Sequence, residues 1–351
     1  MKRVLIVKLG AIGDVAMAVS AVHQLYLAGF EINWICGNVV RPLLACYSWI
    51  NVIAVDDKQL FAGSALNRMR AVFKVWRLLA GERYDLCAVL YYDWRYRILT
   101  PPWIAPRKVY LSHTDRRYRL LPGRHHSDEF ARILLGRQDS VEPHSLPPVR
   151  PDRLPESPLP AKAAPVRIGI VPAGASNMIR EQALRRWPID SYVILAEMMI
   201  RRGWEVVLLG GPDDEWARKS FKDLAVIDSI GRLTLPQVVS AFDSCDVVVS
   251  HDTGPLHLAG LSHAALVGLF GPTQASSRLP RRDNVTGITG GDGFACAPCY
   301  DGRDFAPCLN NACMQQITPQ SVMRAVEILL RGATQEVNPE VATPFPMCSS
   351  D

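Results

Sequence analysis

The strongest constraint on the fold is an apolar run that leads directly into a glycine-containing turn. Residues 247–249 are three valines, and residues 250–260 read Ser-His-Asp-Thr-Gly-Pro-Leu-His-Leu-Ala-Gly. The valines predict a buried parallel strand, and the turn predicts a helix start with Asp252 or Thr253 as its N-cap. A second apolar run ends at residues 270–273 in Phe-Gly-Pro-Thr and repeats the arrangement. Because helix N-termini at the carboxyl ends of such strands bind anions, the pair predicts half of a nucleotide-phosphate site.

Strand-like and helix-like patterns alternate along both halves of the chain. In the first half, strands are predicted at 4–7, 32–35, 52–55, 86–90 and 108–111, and helices at 15–28, 40–45, 65–79 and 128–135. In the second half, strands are predicted at 166–171, 205–209, 225–228 and from 247, and helices at 190–202, 215–224, 235–242 and 318–330, with Gly332 ending the last. This alternation predicts an α/β protein with parallel sheets covered by helices on both faces.

A proline-rich segment separates the two halves. Eight prolines lie between residues 139 and 165, and so many prolines exclude a helix or a central strand. We therefore predict a first domain over 1–140, a linker over 141–165, a second domain over 166–333 and a loose tail over 334–351.

The two turn motifs together resemble glycosyltransferase family 9, the ADP-heptose:lipopolysaccharide heptosyltransferases. The shared residues are Asp-Thr-Gly-Pro-Leu-His-Leu-Ala at 252–259 and Leu-Phe-Gly-Pro-Thr at 269–273. The resemblance extends along the chain to about residue 330. It implies the GT-B architecture, in which two doubly wound Rossmann-like domains face each other across a cleft. The first domain would bind the acceptor and the second the nucleotide sugar.

A glycine turn with an aspartate follows the first predicted strand. Gly10 and Gly13 lack the full pattern of a dinucleotide fingerprint, and the carboxylate of Asp14 would lie where a pyrophosphate should bind. Asp14 can be interpreted as a helix N-cap. The resemblance instead implies that Asp14 is the catalytic base, which takes the proton of an acceptor hydroxyl. A single base with no carboxylate nucleophile implies one displacement and inversion at the anomeric carbon.

Several residues of the second half match donor-binding positions of the family. The small residues at 173–176 end a strand and suit close approach of backbone to phosphate. The Arg-Arg-Trp-Pro at 185–188 resembles the family's Lys-x-Trp-Pro, so Arg185 or Arg186 would contact the diphosphate. After Gly-Gly-Pro at 210–212, Glu215 would bind the ribose hydroxyls, with Asp214 as the alternative; acids in a helix's first turn are also stabilised by its dipole. The predicted donor-binding residues are Ser176, Arg185, Arg186, Glu215, Asp252, Thr253 and Gly254, whereas His257 is interpreted as a packed helix residue.

Four of the nine cysteines lie within eighteen residues. Cys296, Cys299, Cys308 and Cys313 have a spacing that is compatible with a structural zinc or iron site, or with free thiols in a reducing compartment. The implied transfer reaction itself requires no metal or other cofactor. Cys36, Cys46, Cys87 and Cys245 lie in apolar segments and are predicted to be core residues, and Cys348 lies in the tail.

Charge and hydropathy predict a cytoplasmic protein. No run approaches the roughly 18 apolar residues of a membrane span, and the chain's first residues predict a strand instead of a secretory signal. A net charge of +5 is too small to indicate a nucleic-acid-binding protein. Basic residues nevertheless cluster at 68–83, between apolar ones, and again at 116–124. Each cluster is either a solvated surface or a face that contacts anionic lipid or a phosphorylated glycolipid at the inner membrane.

The favoured function is transfer of a heptose from ADP-heptose to a lipopolysaccharide-type or related glycan acceptor. A family 9 transferase with another nucleotide sugar or a protein acceptor is one alternative. A GT-B-fold sugar-nucleotide epimerase is another, although it would need acid–base residues beyond Asp14. A non-catalytic, metal-stabilised module is the third. A Rossmann oxidoreductase is disfavoured by the incomplete glycine fingerprint.

Overall fold

The chain forms two parallel β-sheets. The computed structural model describes residues 1–137, 145–176, 181–301 and 304–336. The strands of the first sheet are Lys2–Val7, Phe30–Gly37, Ile50–Val55, Leu86–Val89 and Arg107–Tyr110, numbered β1 to β5. Their spatial order is β3-β2-β1-β4-β5, with every neighbouring pair parallel. Strands β2 and β3 are added on one side of β1, and β4 and β5 are added on its other side. The chain therefore changes direction at β1, which makes this edge a topological switch point. Open α/β sheets bind ligands at such points.

The second sheet has six strands. They are Arg167–Val171, Glu205–Leu208, Val226–Asp228, Val247–His251, Ala265–Phe270 and Val285–Thr289, numbered β6 to β11. The order β11-β10-β9-β6-β7-β8 is again fully parallel, so the predicted α/β class with two parallel sheets is confirmed. The switch lies between β6 and β9, and both strands end beside the predicted phosphate turn.

Helices connect the strands in both halves. The first-half helices are Ile12–Leu27, Arg41–Leu44, Asp57–Ala62, Ala65–Leu78, Trp94–Arg97 and His126–Leu134, numbered α1 to α6. The second-half helices are Ile189–Arg201, Leu235–Asp243, Gly254–Gly260, Ala275–Arg278, Ala312–Gln315 and Pro319–Glu336, numbered α7 to α12. The sequence did not predict α3, α5, α10, α11 or the edge strand β11, because these elements are short or only partly buried.

Three local predictions are wrong. Helix α1 begins at Ile12 with Ala11 as its N-cap, so Asp14 lies in the first turn and is not the N-cap. The helix predicted at 215–224 is a 3₁₀ helix over Pro212–Phe221, which has Pro212 at its first position. Helix α12 begins as predicted, with Thr318 accepting a hydrogen bond from the Ser321 N–H, but it passes through Gly332 and spans Pro319–Glu336 within the described residues.

The described linker residues contact both halves. Residues 145–165 contain no helix or strand. Ser48 of the first half bonds to Asp152, while the guanidinium of Arg150 forms two bonds to Asp243 of the second half, at 2.7 and 2.8 Å. The predicted domain boundaries stay predictions, and residues 141–144 and the tail from 337, including Cys348, lie outside the described residues. The predicted core cysteines Cys36, Cys46, Cys87 and Cys245 are buried.

A buried ion pair supports the loop between β5 and α6. Glu129 and Arg132 are both fully buried, and the guanidinium of Arg132 also donates to the carbonyl oxygens of Arg117 and Arg119. The carboxylate of Glu129 accepts the N–H of Leu121 as well. One pair therefore fixes residues 117–121, whose Leu120 N–H donates to the hydroxyl of Tyr92, three residues after β4. Among the described residues, no helix is long and apolar enough to cross a membrane.

We predict that Arg132→Met destabilises the protein by roughly 3–5 kcal/mol, because it leaves the buried carboxylate of Glu129 without its main counter-charge. The measurement is urea denaturation followed by circular dichroism. Arg137→Met, at an exposed position five residues along the chain, is the matched control and should change stability by less than about 0.5 kcal/mol. Equal effects of the two changes would contradict the proposed support.

Candidate functional site

The first half contributes a lysine–aspartate pair at the carboxyl end of β1. Lys8 directly follows the strand and is 1% exposed, and its ammonium lies 2.9 Å from the carboxylate of Asp14 in the first turn of α1. The side chain of Asp14 keeps 28% of its surface exposed. The ammonium of Lys8 also lies over the ring of Tyr91, 4.6 Å from its centre. The pair thus holds one carboxylate at the switch point of the first sheet, facing solvent.

The charge of Lys8 controls the ionisation of Asp14. Desolvation on its own would raise the pKa of this carboxyl group. The charge and the hydrogen bond of the Lys8 ammonium outweigh that effect and hold the pKa of Asp14 below its ordinary value. Asp14 is therefore ionised at neutral pH and able to accept a proton.

The second half contributes a buried aspartate at the carboxyl end of β9. Asp252 is 1% exposed and accepts a hydrogen bond of 2.6 Å from the hydroxyl of Thr273, which follows β10. Arg185 and Arg278 each bring a guanidinium nitrogen to 3.6 Å from the same carboxylate oxygen, Oδ2. Burial raises the pKa of Asp252, but the two guanidinium groups outweigh it and the pKa is lowered. The two turn motifs of the sequence therefore meet at one carboxylate.

Several buried polar atoms in this cluster lack a hydrogen-bond partner among the described residues. They include Oδ1 of Asp252, Nε of Arg185 and Nε2 of His251. The 3.6 Å separations to Asp252 are ion pairs without hydrogen bonds, so the guanidinium donors are not fully used by protein acceptors. Buried polar atoms of this kind mark positions where a polar ligand would gain hydrogen bonds at little further desolvation cost.

The backbone turn after β6 packs tightly against Thr253. Gly174 has a φ of +98°, and a Cβ at this position would lie 2.7 Å from the hydroxyl oxygen of Thr253. That oxygen accepts the N–H of Ala175 at 2.8 Å. Thr253 is the N-cap residue of α9, as predicted. Its side chain does not cap the helix, because its hydroxyl accepts the Ala175 N–H in the turn after β6. Its hydroxyl joins the ends of β6 and β9.

The two adjacent arginines have different surroundings. Arg185 lies beside Asp252, with its guanidinium 5.4 Å from the ring of Tyr300 and 5.6 Å from that of Phe305. Arg186 instead donates to the carbonyl of Gly174 at 2.8 Å and pairs with Glu181 at 2.6 Å. The structure thus brings Arg185 into the Asp252 cluster and uses Arg186 to fix the turn after β6.

Glu215 and Ser176 lie outside the Asp252 cluster. The side chain of Glu215 is 62% exposed and lies 3.7 Å from Arg218, next to the backbone of Gly231. Ser176 is exposed at the end of the turn after β6. Asp214 is buried and accepts the Gly211 N–H at 2.7 Å, so its carboxylate holds the turn after β7.

His257 is packed, as predicted, but it packs between the two halves. Its ring occupies the space that a Cβ at Gly13 would need, and its Nε2 lies 3.9 Å from Oδ1 of Asp252. Burial lowers the pKa of His257 to about 4, so the ring is neutral at pH 7. Gly254, at the start of α9, lies against Ile12 in the same way. The glycine positions of both turns therefore allow α1 and α9 to approach each other.

Sequence reasoning missed three residues of the site. Lys8 could have been noticed as the one charge within the apolar run at residues 4–12. Arg278 follows the Phe-Gly-Pro-Thr motif by five residues in α10, and its guanidinium lies 5.3 Å from the ring of Tyr300. Tyr300 belongs to the cysteine-bearing loop, and no local sequence signal links it to the two arginines that its ring contacts.

The four clustered cysteines do not form a metal-binding set in this structure. Cys296 and Cys308 are exposed, whereas Cys299 and Cys313 are half-buried. Among the residues described, no group of three or more His, Cys, Asp or Glu side chains is placed to hold a metal ion. The structural zinc or iron at these cysteines therefore stays a prediction.

Part of the chain is similar in sequence to known proteins. Residues 167–309 match the family model of glycosyltransferase family 9 (heptosyltransferase). The chain is 30% identical over 109 residues to lipooligosaccharide heptosyltransferase 2 of Haemophilus influenzae, covering 29% of this chain and 32% of that protein. It is 23% identical over 313 residues to the lipopolysaccharide core heptosyltransferase OpsX of the same species, covering 82% and 84%. The chain spans about a third to a half of the length of the curated relatives that it matches first.

Solved structures share the fold at low sequence identity. A family 9 glycosyltransferase from Veillonella parvula superposes with a TM-score of 0.72 at 19% identity, covering 94% of this chain and 97% of that one. E. coli ADP-heptose lps heptosyltransferase II has a TM-score of 0.67 at 19% identity, with coverage of 95% and 100%. The iron-containing dodecameric glycosyltransferase TibC of E. coli has a TM-score of 0.60 at 15% identity, covering 95% and 77%. With its two parallel sheets the chain has the GT-B fold, and its residues 167–309 are similar to glycosyltransferase family 9 (heptosyltransferase).

Proposed function

We propose that the protein is an inverting glycosyltransferase that moves a heptose from ADP-heptose to a lipopolysaccharide-type or related glycan acceptor. The observation that carries the proposal is the placement of Asp14 and Asp252 at the carboxyl edges of two sheets, where Gly13 of α1 packs against His257 of α9. The family and the relatives named above support the reaction class. The sugar and the acceptor come from the relatives and are part of the proposal.

Asp14 would act as the general base. An acceptor hydroxyl that approaches its carboxylate would lose its proton to Asp14 as the hydroxyl oxygen attacks the anomeric carbon. The bond from that carbon to the diphosphate oxygen breaks with its electron pair, and the nucleoside diphosphate leaves on the opposite face. One displacement of this kind inverts the configuration at the anomeric carbon.

Arg185 and Arg278 would neutralise the leaving diphosphate. Both guanidinium groups already lie beside one carboxylate, and Nε of Arg185 has no hydrogen-bond partner among the residues described. Backbone N–H groups at the start of α9 and the hydroxyl of Thr273 lie in the same region. Because these cations supply the charge that a leaving diphosphate needs, we propose that transfer requires no cofactor. Asp252 would contact sugar hydroxyls through Oδ1, and Glu215 and Ser176, which lie outside the Asp252 cluster, would bind the ribose and the phosphates.

We also propose that the protein works in the cytoplasm, in peripheral contact with the inner membrane. A glycolipid acceptor has its anchor in the bilayer and its glycan outside it.

Donor hydrolysis and transfer should be measured with ADP-, UDP- and GDP-sugars and a delipidated glycan acceptor. Turnover is expected with an ADP-sugar, and absence of turnover with every ADP-sugar would overturn the heptosyl assignment.

Asp14→Asn should lower kcat by about 10²–10⁴-fold with little change in donor affinity, because the amide cannot accept the proton. Steady-state kinetics and donor titration separate the two quantities. Asp190→Asn is the matched control, since Asp190 is an exposed first-turn carboxylate of α7; it should leave kcat unchanged. Unchanged transfer by Asp14→Asn would show that another group is the base.

Lys8→Met should move the acidic limb of the pH–rate profile upward by more than about one pH unit. In the wild type, the lowered pKa of Asp14 keeps the base ionised well below neutral pH. Without the ammonium, desolvation raises that pKa, and activity is lost as the pH falls through the new value. Lys2→Met, at the exposed start of β1, should leave the profile unchanged. A Lys8→Met profile identical to the wild type would contradict the pairing argument.

Arg185→Met and Arg278→Met should each lower kcat/KM for the donor by about 10²–10³-fold, the range typical of lost transition-state donors. Arg186→Met should cost clearly less, because its guanidinium is bonded to Gly174 and Glu181. The readout is kcat/KM together with direct binding of ADP. A larger loss for Arg186→Met than for Arg185→Met would reverse the assignment of the two arginines.

A further inference from the structure

Helix α4 presents an exposed apolar strip to solvent. Leu66, Met69 and Phe73 follow one another at helical spacing and are 54%, 54% and 62% exposed. The helix is held to the protein by its opposite side, where Ala71 and Val75 are buried. Trp76 and Trp103 continue the strip, with ring centres 5.7 Å apart, and half of the Trp103 side chain is exposed. Large apolar side chains aligned in this way on the surface of one helix indicate a contact surface.

A groove beside α4 enlarges this apolar surface. The groove holds about 300 Å³ between α4 and α5, and Met69, Phe73 and Trp94 are among the residues that line it. Trp94 is 64% exposed at the first position of α5. We call the face formed by Leu66, Met69, Phe73, Trp94 and Trp103 the α4 surface.

The charge along α4 itself is of one sign. From residue 58 to residue 80 the sequence contains five lysines and arginines and no aspartate or glutamate. By helical spacing, Arg70, Lys74 and Arg77 flank the apolar strip on one side, and all three are exposed. An amphipathic helix with aromatic and aliphatic residues beside a row of cations matches an anionic bilayer surface, into which the apolar residues insert while the cations meet phosphate.

The second basic cluster of the sequence, at 116–124, differs because some of its arginines form ion pairs with acids. Arg117 pairs with Asp115 at 2.8 Å, and Arg124 pairs with the buried Glu129 at 2.8 Å. Two of the four arginines at 116–124 are thus paired with acids. The two clusters look alike in the sequence, but of these two described segments it is α4 whose cations lie beside large exposed apolar side chains.

The α4 surface is continuous with the acceptor side of the cleft. Tyr91, whose ring lies beside Lys8, is three residues from Trp94, and its ring centre is 4.7 Å from that of Tyr96 in α5. The segment that follows β4 therefore runs from the Lys8–Asp14 pair to the rim of the groove. An acceptor anchored in a bilayer could keep its lipid at α4 and place its glycan near Asp14.

We infer that the α4 surface docks the protein on the surface of an anionic lipid bilayer. The role in delivering acceptor to Asp14 rests on the proposed function, whereas bilayer binding itself does not. Co-sedimentation should be measured with vesicles of phosphatidylcholine alone and of phosphatidylcholine mixed with phosphatidylglycerol. The wild-type protein should bind the mixed vesicles and release them at high salt, since the attraction is partly electrostatic.

Charge reversal tests the cations. Arg70→Glu with Lys74→Glu should weaken binding to the mixed vesicles by at least about tenfold. The matched control is Lys219→Glu with Lys222→Glu, two exposed lysines of the second half, which should bind like the wild type. Equal losses in both double variants would mean that net charge alone is responsible, and the inference would be wrong.

Tryptophan quenching tests insertion. Brominated phosphatidylcholine in the mixed vesicles should quench the wild-type fluorescence, and Trp94→Phe with Trp103→Phe should remove most of that quenching. Trp216→Phe, a 42% exposed tryptophan of the second half, is the control and should keep it. Quenching that survives in the double variant, or no vesicle binding by the wild type, would overturn the inference.

Activity on two acceptors separates this inference from the proposed function. The Arg70→Glu, Lys74→Glu variant should transfer to a delipidated glycan at the wild-type rate but be slower on a vesicle-embedded glycolipid. Vesicle binding without any transfer would overturn the proposed function and leave the docking surface intact. Transfer with equal rates on both acceptors in wild type and variant would leave the function intact and contradict the role of docking in acceptor delivery.

Discussion

The cleft is organised by one buried negative charge between two guanidinium groups. Asp252 holds Arg185 and Arg278 at 3.6 Å each, and without that carboxylate the two cations would repel each other across a low-dielectric site. The ring of Tyr300 contacts both guanidinium groups and limits their access to water. Because neither arginine hydrogen-bonds to Asp252, both can turn their donors toward a diphosphate while staying neutralised. Two guanidinium groups and one carboxylate give this cluster a net positive charge, which favours an anion.

Most of this framework could be predicted from the sequence because parallel strands buried on both faces are continuous apolar runs. The runs at 4–7 and from 247 each end in a glycine turn. Both turns lie at the carboxyl edge of their sheet, as the parallel order of the strands requires. The prediction failed where local and long-range demands compete. The Thr253 hydroxyl was a candidate helix cap, but the Ala175 N–H, 78 residues away in sequence, takes it instead. The sequence does not distinguish Arg185 from Arg186. In the structure Arg186 donates to the carbonyl of Gly174, whereas Arg185 lies beside Asp252.

The pairing of Asp14 with Lys8 has a chemical consequence for the proposed base. A carboxylate stabilised by an ammonium at 2.9 Å is ionised over a wide pH range but has a lower proton affinity. A carboxylate that is always ionised but weakly basic suits a reaction in which the bond to the leaving diphosphate breaks before the proton is transferred. Glycosyl transfer has this character, because charge develops on the sugar ring as an oxocarbenium-like centre before the nucleophile is fully bonded. An acceptor hydroxyl becomes strongly acidic only late in such a step, so a weak base suffices.

Timing of this kind makes positioning of the acceptor more important than base strength. If the leaving group departs early, water at the anomeric carbon competes directly with the acceptor hydroxyl, and the acceptor must already be in place. The segment after β4 is the one part of the described first half that contacts both Lys8, through Tyr91, and the apolar rim at Trp94. An acceptor tethered at α4 would meet the cleft at a high effective concentration without needing tight contacts to its glycan. A surface built for lipid and a base of modest strength are therefore two consequences of the same requirement, that the acceptor arrives before the bond to the diphosphate breaks.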